Sequence, residues 1–225
     1  MTSGAETSRT PDRVTVPDFD ETFRATLREL FAWRRDVRHF RADPIDRAIV
    51  ERLVSIAALA PSVGFSQPWR FVIVEEAARR AAAIASFERA NADALNAYDD
   101  GDAARYAKLK LSGMREAPVH LAVFCDCGTH VGKDLGRRTM PETLAYSATM
   151  AVYTFWLAAR AEGIGAGWVS ILEPDVVSAA LDVPPEWKLI AYLCVGYPAG
   201  ENETPELQRA GWETRDERAL ELYRR

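Results

Sequence analysis

The sequence predicts an α/β or α+β fold in which one central sheet is flanked by helices. Its 225 residues, 48% of them hydrophobic, suffice for one sizeable domain with its own core. Predicted strands alternate with predicted helices along the chain. The helical segment 146–159 is apolar nearly all round, so we expect it to be buried on every side. In a domain of this size, a two-fold dimer is the economical way to achieve that burial.

The first elements follow from helical spacing and from turn residues. A first helix is predicted to run up to Arg34, and Asp43-Pro44 is predicted to cap the second helix and open it. Pro61 ends the second helix, and the turn 62–67 leads to a strand at 70–74. The apolar residues that define the buried faces of the two helices are Phe23, Leu27, Leu30 and Phe31, then Ile45, Ile49, Leu53, Ile56 and Ala60.

The segment that follows is long, charged and Ala-rich, with a break at 99–102. We predict a lid at 90–112, since so long a connection is typical of a mobile cover over a site. An ordinary amphipathic surface helix is the alternative. The remaining predicted elements are strands at 119–124, 169–172 and 189–195 and helices at 142–161 and 175–181.

Composition excludes several classes of function. A net charge of −5 argues against a broad nucleic-acid surface, and the longest apolar stretch is too short to span a bilayer. Three cysteines (Cys125, Cys127 and Cys194) provide neither a disulfide framework nor metal-ligand spacing, and we expect them to be structural. Residues 1–18 are predicted to be a disordered tail without a signal peptide, and 19–225 to be a single domain. We expect a cytoplasmic protein with no metal, nucleic-acid or membrane partner.

Two segments carry residues suited to binding a ligand. Arg34, Arg35 and Arg38 follow the first predicted helix, and guanidinium groups bind phosphate through paired hydrogen bonds. Solvated charges at a helix C-terminus are the alternative. The turn 62–67 offers backbone and side-chain donors to the polar edge of a planar ring, unless its residues serve only the geometry of the turn. Asp36 is either an acid/base or the partner that orients the arginines.

Three blocks together resemble the nitroreductase-like flavoprotein superfamily. They are RRDVRHF at 34–40, APSVGFSQPW at 60–69 and EGIGAGW at 162–168, and the resemblance extends over roughly 23–198. It implies a nitroreductase-like α/β sandwich, an interlocked homodimer, and FMN bound at the interface between the two subunits.

Two positions depart from ordinary members of that superfamily. Asp36 stands where they usually carry a small residue, and Phe65 where they often carry Asn. Five blocks are instead similar to the BluB branch of the superfamily. They are RRDVR at 34–38, PSVGFSQPW at 61–69, RRTMPETLAYS at 137–147, GWVSILEP at 167–174 and AYLCVGYP at 191–198. The resemblance implies that reduced FMN and O2 are substrates and that the flavin is fragmented to 5,6-dimethylbenzimidazole and D-erythrose 4-phosphate. That product is the lower ligand of cobalamin.

The resemblance also implies roles for individual residues. Asp36 would act as acid/base, kept ionised because the flanking arginines lower its pKa, and Ser170 would support a peroxide or N5 of the flavin. The expected FMN-binding residues are Arg34, Arg35, Asp36, Val37, Arg38, Ser62, Leu111 and Ser170. Arg209 and Arg215 are candidates for further phosphate contacts.

Other assignments stay open at this point. NAD(P)H or a separate flavin reductase would supply the reduced flavin. The alternative functions are an NAD(P)H-dependent nitro- or quinone reductase and, from another class, a non-catalytic flavin-binding protein.

Overall fold

The computed structural model describes residues 16–225, so most of the predicted tail 1–18 lies outside the described residues. The longer helices are α1 (Glu21–Trp33), α2 (Arg47–Ala57), α3 (Ala77–Ala97), α4 (Asp100–Tyr106), α5 (Thr143–Ala161) and α6 (Pro174–Leu181), and a short α7 (Glu206–Arg209) follows. The strands are β1 (Trp69–Ile73), β2 (Val119–Asp126), β3 (Gly165–Val169) and β4 (Trp187–Gly196). Within this part of the chain, no helix is long and apolar enough to cross a membrane. The predicted α+β class is confirmed.

The sheet has the strand order β1-β2-β4-β3, and all three strand pairings are antiparallel. The central strands are buried over most of their length, β2 at all but its two end residues and β4 from Ala191 to Gly196, as their continuous apolar runs predict. Asp36 extends the sheet beyond β3 through an isolated parallel bridge to Ala166. The segment after α1 therefore lies along the outer edge of β3.

Helix α5 packs on the sheet and supplies a large part of the core. Its buried residues include Val152, Phe155 and Ala159, which pack with Leu121 and Leu193 of the central strands. The prediction that this helix is buried on every side is wrong for the protomer. Its remaining face is largely open, with exposed fractions of 55% at Tyr146, 45% at Met150 and 39% at Tyr153.

Two predicted boundaries are also wrong. The third strand is β3, which begins four residues before the predicted 169–172. Gly167 explains the difference, because a Cβ there would lie 2.0 Å from the carbonyl oxygen of Val37. Glycine has a low propensity for strands, so the glycine that this close backbone contact requires makes β3 hard to predict from the sequence. Helix α2 is capped by Asp46 rather than by the predicted Asp43, since the Asp46 carboxylate accepts the Ala48 N–H at 2.9 Å.

The segment predicted as a lid contains the end of α3, all of α4 and an irregular stretch. The predicted break at 99–102 is instead the start of α4, where the Asp99 carboxylate accepts the Asp102 N–H at 3.1 Å. The rings of Tyr98 and Tyr106 lie 5.0 Å apart, and Trp212 of the C-terminal tail packs edge-on against both. Whether this segment opens and closes stays a prediction.

Candidate functional site

The carboxylate of Asp36 is fixed at both of its oxygens. Oδ1 accepts the backbone N–H of Trp168 at 2.8 Å, and Oδ2 accepts the guanidinium Nε of Arg38 at 2.9 Å. Close approach at Gly167 makes the first bond possible, because it lets the loop lie directly against β3. The geometry holds the carboxyl group at one defined position beside the sheet edge.

Burial raises the pKa of Asp36 above its ordinary value. The charge of Arg38 and the hydrogen bond from Trp168 oppose this effect, and they are smaller than the cost of removing the carboxylate from water. The flanking arginines do act to lower this pKa, as expected, but burial outweighs them, so the expected net lowering is wrong. A carboxyl group with a raised pKa holds and releases a proton closer to neutral pH, which suits acid/base work.

Arg38 connects Asp36 to the predicted lid. Its side chain is only 13% exposed, and Nη1 donates to the backbone carbonyl of Lys110 at 2.9 Å. Leu111 is the next residue and is half-buried. It lines a cavity of about 350 Å³ between α3 and α4, together with Phe87, Tyr106 and Met114. The cluster of arginines and the predicted lid are thus joined by a side chain that also positions the carboxylate.

Arg34 and Arg35 differ in how much of their bonding capacity the protein uses. Nε of Arg35 donates to the carbonyl of Glu203 at 2.6 Å, which ties the loop to the C-terminal part of the chain. The guanidinium of Arg34 lies 5.0 Å from the ring centre of Trp156. Its Nε is buried and has no hydrogen-bond partner among the described residues. A buried donor without a partner is the kind of group that a bound anion satisfies.

A cavity of about 180 Å³ brings these arginines together. It is lined by Arg34, Arg35, Asp36, Arg38, Pro205, Glu206, Leu207 and Arg215. Burial, with the neighbouring charges of Arg34 and Arg215, lowers the pKa of Arg35. Several guanidinium groups sharing one small cavity favour an anionic ligand.

A smaller cavity, of about 70 Å³, shares several residues with this arginine cavity. It also contains Trp156 and Arg160, which were not identified as site residues from the sequence. Arg35, Asp36 and Arg38 line it with Trp156, Arg160 and Arg209. Nε1 of Trp156 donates to the carbonyl of Arg35 at 3.1 Å, so this indole holds the loop. A signal did exist for Trp156 and Arg160, since both lie in the last two turns of α5, just before the block EGIGAGW at 162–168.

Val37 and Ser170 both lie at β3, the outer strand of the sheet. The Val37 N–H donates to the carbonyl of Ala166 at 3.1 Å. Ser170 is exposed and directly follows β3, two residues beyond the Trp168 N–H that binds Asp36. The structure places Ser170 and Asp36 along one strand end, and their catalytic roles stay predictions.

The turn 62–67 is anchored elsewhere on α5. Oγ of Ser62 accepts the Gln67 N–H at 3.1 Å, and the Val63 N–H donates to Oγ of Ser147 at 3.0 Å. Ser147 precedes Trp156 by nine residues, so the anchor points of this turn and of the arginine loop are about 13 Å apart along α5. Within one protomer the two predicted walls are therefore attached to different turns of α5.

The same turn presents an exposed aromatic ring. Phe65 is 77% exposed and has a φ of 57°, in the left-handed region that non-glycine residues rarely adopt. Backbone strain of this kind is common at binding sites. Close by, Oγ of Ser66 is buried without a partner among the described residues.

Comparison with known proteins gives concordant matches. The model of the family described as "Nitroreductase family" matches residues 31–197. A curated 5,6-dimethylbenzimidazole synthase of Rhodospirillum rubrum is 58% identical over 201 residues, covering 89% of this chain and 95% of that protein. One of Rhodobacter capsulatus is 48% identical over 196 residues, covering 87% and 95%.

Solved structures show the same fold. A BluB-like flavoprotein from Clostridium difficile 630 superimposes with a TM-score of 0.66 at 19% identity, over 88% of this chain and 99% of that one. Iodotyrosine deiodinase bound to FMN and 3-iodo-L-tyrosine also gives a TM-score of 0.66, at 24% identity, over 78% and 91%. At these identities the likeness concerns the fold alone.

Proposed function

The chain belongs to the nitroreductase family, and we propose that it is a 5,6-dimethylbenzimidazole synthase. The reaction is the O2-dependent fragmentation of reduced FMN to 5,6-dimethylbenzimidazole and D-erythrose 4-phosphate, and it supplies the lower ligand of cobalamin. The observation that carries the proposal is the 58% identity to a curated synthase over 89% of the chain. A cytoplasmic location is part of the same proposal.

The residues of the arginine cavity fit the phosphate of FMN. Arg34 offers a buried Nε without a partner among the described residues, and Arg215 lines the same cavity from the tail. Arg35 and Arg38 already donate to Glu203, Asp36 and Lys110, so their main contribution is to hold the loop and to supply positive charge. Arg34 and Arg215 would bind the phosphate directly.

Asp36 would hold and move a proton during the fragmentation. Reduced FMN, when bound, supplies the electrons that reduce O2 and the ring that is cut. The Trp168 N–H and the Arg38 guanidinium keep the carboxyl group in one orientation, and its raised pKa favours exchange of a proton near neutral pH. Arg38 is in this view a positioning residue.

Three further residues complete the proposed site. Ser170 would donate a hydrogen bond at the edge of the ring, from its position after β3. Ser62 and its turn would line the ring, and Leu111 would cover it from the lid at 90–112. The bond from Arg38 to Lys110 supports this placement of Leu111, because it attaches the lid to the loop that carries Asp36. Closure would exclude water from the reacting atoms.

An interlocked homodimer would bring the two walls of the site together. The arginine loop and the Ser62 turn are anchored about 13 Å apart along α5, so a second copy can contribute its turn to the first copy's arginines. The open face of α5, formed by Tyr146, Met150 and Tyr153, is an apolar surface suited to such a contact.

The test is aerobic incubation of the purified protein with prereduced FMN, followed by mass analysis of the products. We expect the wild type to form dimethylbenzimidazole and Asp36→Asn to lose that product, because Asn keeps an oxygen for the Trp168 N–H but does not titrate. Asp43→Asn is the matched control, since Asp43 is an exposed partner of Arg41 and should leave the activity unchanged.

The other outcomes point to the alternatives. Oxidised FMN and hydrogen peroxide as the only products would contradict the proposal, and steady NAD(P)H oxidation with an acceptor and intact flavin would then favour a reductase. Tight binding of FMN without turnover would favour a non-catalytic flavin-binding protein. Replacing prereduced FMN by FMN and NAD(P)H measures whether the chain reduces its own flavin or depends on a separate reductase.

A further inference from the structure

Two thiols lie in contact at the end of β2, away from the arginine cavities. Cys125 is fully buried, Cys127 is exposed just beyond the strand, and their Sγ atoms are 3.9 Å apart. Alternate residues of a strand project to the same side, which explains why a CxC spacing brings the two sulfurs together. The third cysteine, Cys194, is buried in β4 and belongs to a different part of the core.

The surroundings give the two thiols different accessibility. Burial raises the pKa of Cys125, and this thiol is shielded from solvent, so that it loses its proton only as it reacts with its neighbour. Asp126, between them, is bound by Arg70 at 2.7 Å and by the Gly128 N–H at 3.1 Å, which offsets its negative charge. Cys127 is therefore the thiol that a dissolved oxidant reaches, and Cys125 is the thiol positioned to react with the product.

We propose that Cys127 and Cys125 form a two-cysteine oxidation site for hydrogen peroxide. The Cys127 thiolate attacks one peroxide oxygen, the O–O bond breaks, and the leaving hydroxide takes up the proton that Cys127 had released. Cys127 is oxidised to the sulfenic acid and one water forms. The Cys125 sulfur then attacks the Cys127 sulfur, the S–S bond forms and the S–O bond breaks. The hydroxide leaves with the Cys125 proton as a second water, so two thiols are oxidised by one peroxide.

The pair lies at the base of a segment already described. Cys125 faces Trp69 across the β1–β2 pairing, and the Asp126 N–H donates to the carbonyl of Pro68 at 2.8 Å. Pro68 and Trp69 end the segment 60–69 that contains the Ser62 turn. The cross-link would therefore form where this turn joins the sheet. The inference does not rest on the proposed synthase activity, because added peroxide tests it without any flavin.

The experiment treats the reduced full-length protein with hydrogen peroxide, blocks free thiols and maps the tryptic peptides. Trypsin places Cys125 and Cys127 on one peptide, Glu116–Lys133, and Cys194 on another. We expect the first peptide to lose two hydrogens and to resist alkylation, while Cys194 stays alkylated. The matched control, Cys194→Ala, should behave like the wild type.

Two variants separate the steps. Cys127→Ser, at the exposed position, should abolish peroxide oxidation of the peptide. Cys125→Ala should stop the reaction at a sulfenic acid on Cys127 that dimedone traps, and circular dichroism checks that this core variant is folded. Unchanged alkylation of both thiols in the wild type would overturn the inference. Sulfinic acid without any disulfide, or a disulfide between two copies of the chain, would overturn it as well.

Discussion

His120 should make the protein lose stability as the pH falls from neutral to mildly acidic. This residue lies in β2 and is 1% exposed. Nε2 is 2.8 Å from the carbonyl of Met114 and Nδ1 is 2.9 Å from the hydroxyl of Tyr192. Because a carbonyl only accepts, Nε2 carries the proton and Nδ1 accepts from Tyr192. The network satisfies both nitrogens of the neutral ring, whereas a second proton would place a charge in a site almost without solvent contact.

The size of the effect follows from the two pKa values of His120. Burial, helped by the charge of Arg80, lowers the pKa from 6.5 to about 4 in the folded protein. Between these values the unfolded chain binds a proton that the folded protein does not, so stability falls as the pH drops through this window. The difference between the two pKa values corresponds to a loss of about 3 kcal/mol. Below pH 4 this contribution no longer changes.

The assay is urea unfolding of the wild type and His120→Gln between pH 7 and pH 4. Gln does not titrate, so the variant should lose about 3 kcal/mol less over this range, whatever its absolute stability. The raised pKa of Asp36 acts with the opposite sign, and it cancels in the comparison because both proteins carry it. His39→Gln is the matched control, since the His39 side chain is 59% exposed. Parallel pH profiles for wild type and His120→Gln would refute the reasoning.

Two further predictions concern the arginine loop. Gly167→Ala places a methyl group 2.0 Å from the Val37 carbonyl oxygen, so it should lower the free energy of unfolding by about 1–3 kcal/mol and weaken FMN binding. In Gly200→Ala the added methyl group meets nothing within 4 Å apart from its chain neighbours, so this variant should keep the wild-type stability, and equal thermal melting of the two variants would contradict the prediction. Arg34→Gln should weaken FMN binding about 10- to 100-fold, as measured by calorimetry, because it removes a charge-assisted contact to phosphate. The exposed Arg28→Gln should bind FMN like the wild type, and a loss as large in this control would show that net charge alone is responsible.

The elements that the sequence predicted well have one strong local signal each. The central strands are uninterrupted apolar runs, and α5 is a long apolar helix, so all three lie within a few residues of their predicted positions. β3 lacks such a signal, because Gly165 and Gly167, which have low β-propensity, make room for the side chain and the backbone of Val37, respectively. The position of β3 is set by a tertiary contact that local sequence does not display.

The candidate site was predictable in its residues and less so in its chemistry. Arg34, Arg35 and Arg38 lie within two residues of Asp36 in the sequence, and in the structure all four line one cavity. Burial in the folded protein raises the pKa of Asp36, against the hydrogen bond from Trp168, a residue 132 positions away, and local sequence shows neither effect. The bond from Arg35 to Glu203 likewise joins distant parts of the chain, and no spacing rule anticipates it.

The loop that carries Asp36 also has a consequence for aggregation. β3 is an outer strand, and its edge would otherwise present free N–H and C=O groups to any other extended chain. Asp36 pairs with Ala166 on that edge and the Val37 N–H donates to the Ala166 carbonyl, so the loop shields this part of the edge. A substitution that detaches the loop would therefore break the hydrogen bonds of the Asp36 carboxylate. It would also expose the edge of β3, which could then pair with another chain. The solubility of the protein and the position of its Asp36 carboxylate therefore depend on the same few residues, so selection for one of these properties also preserves the other.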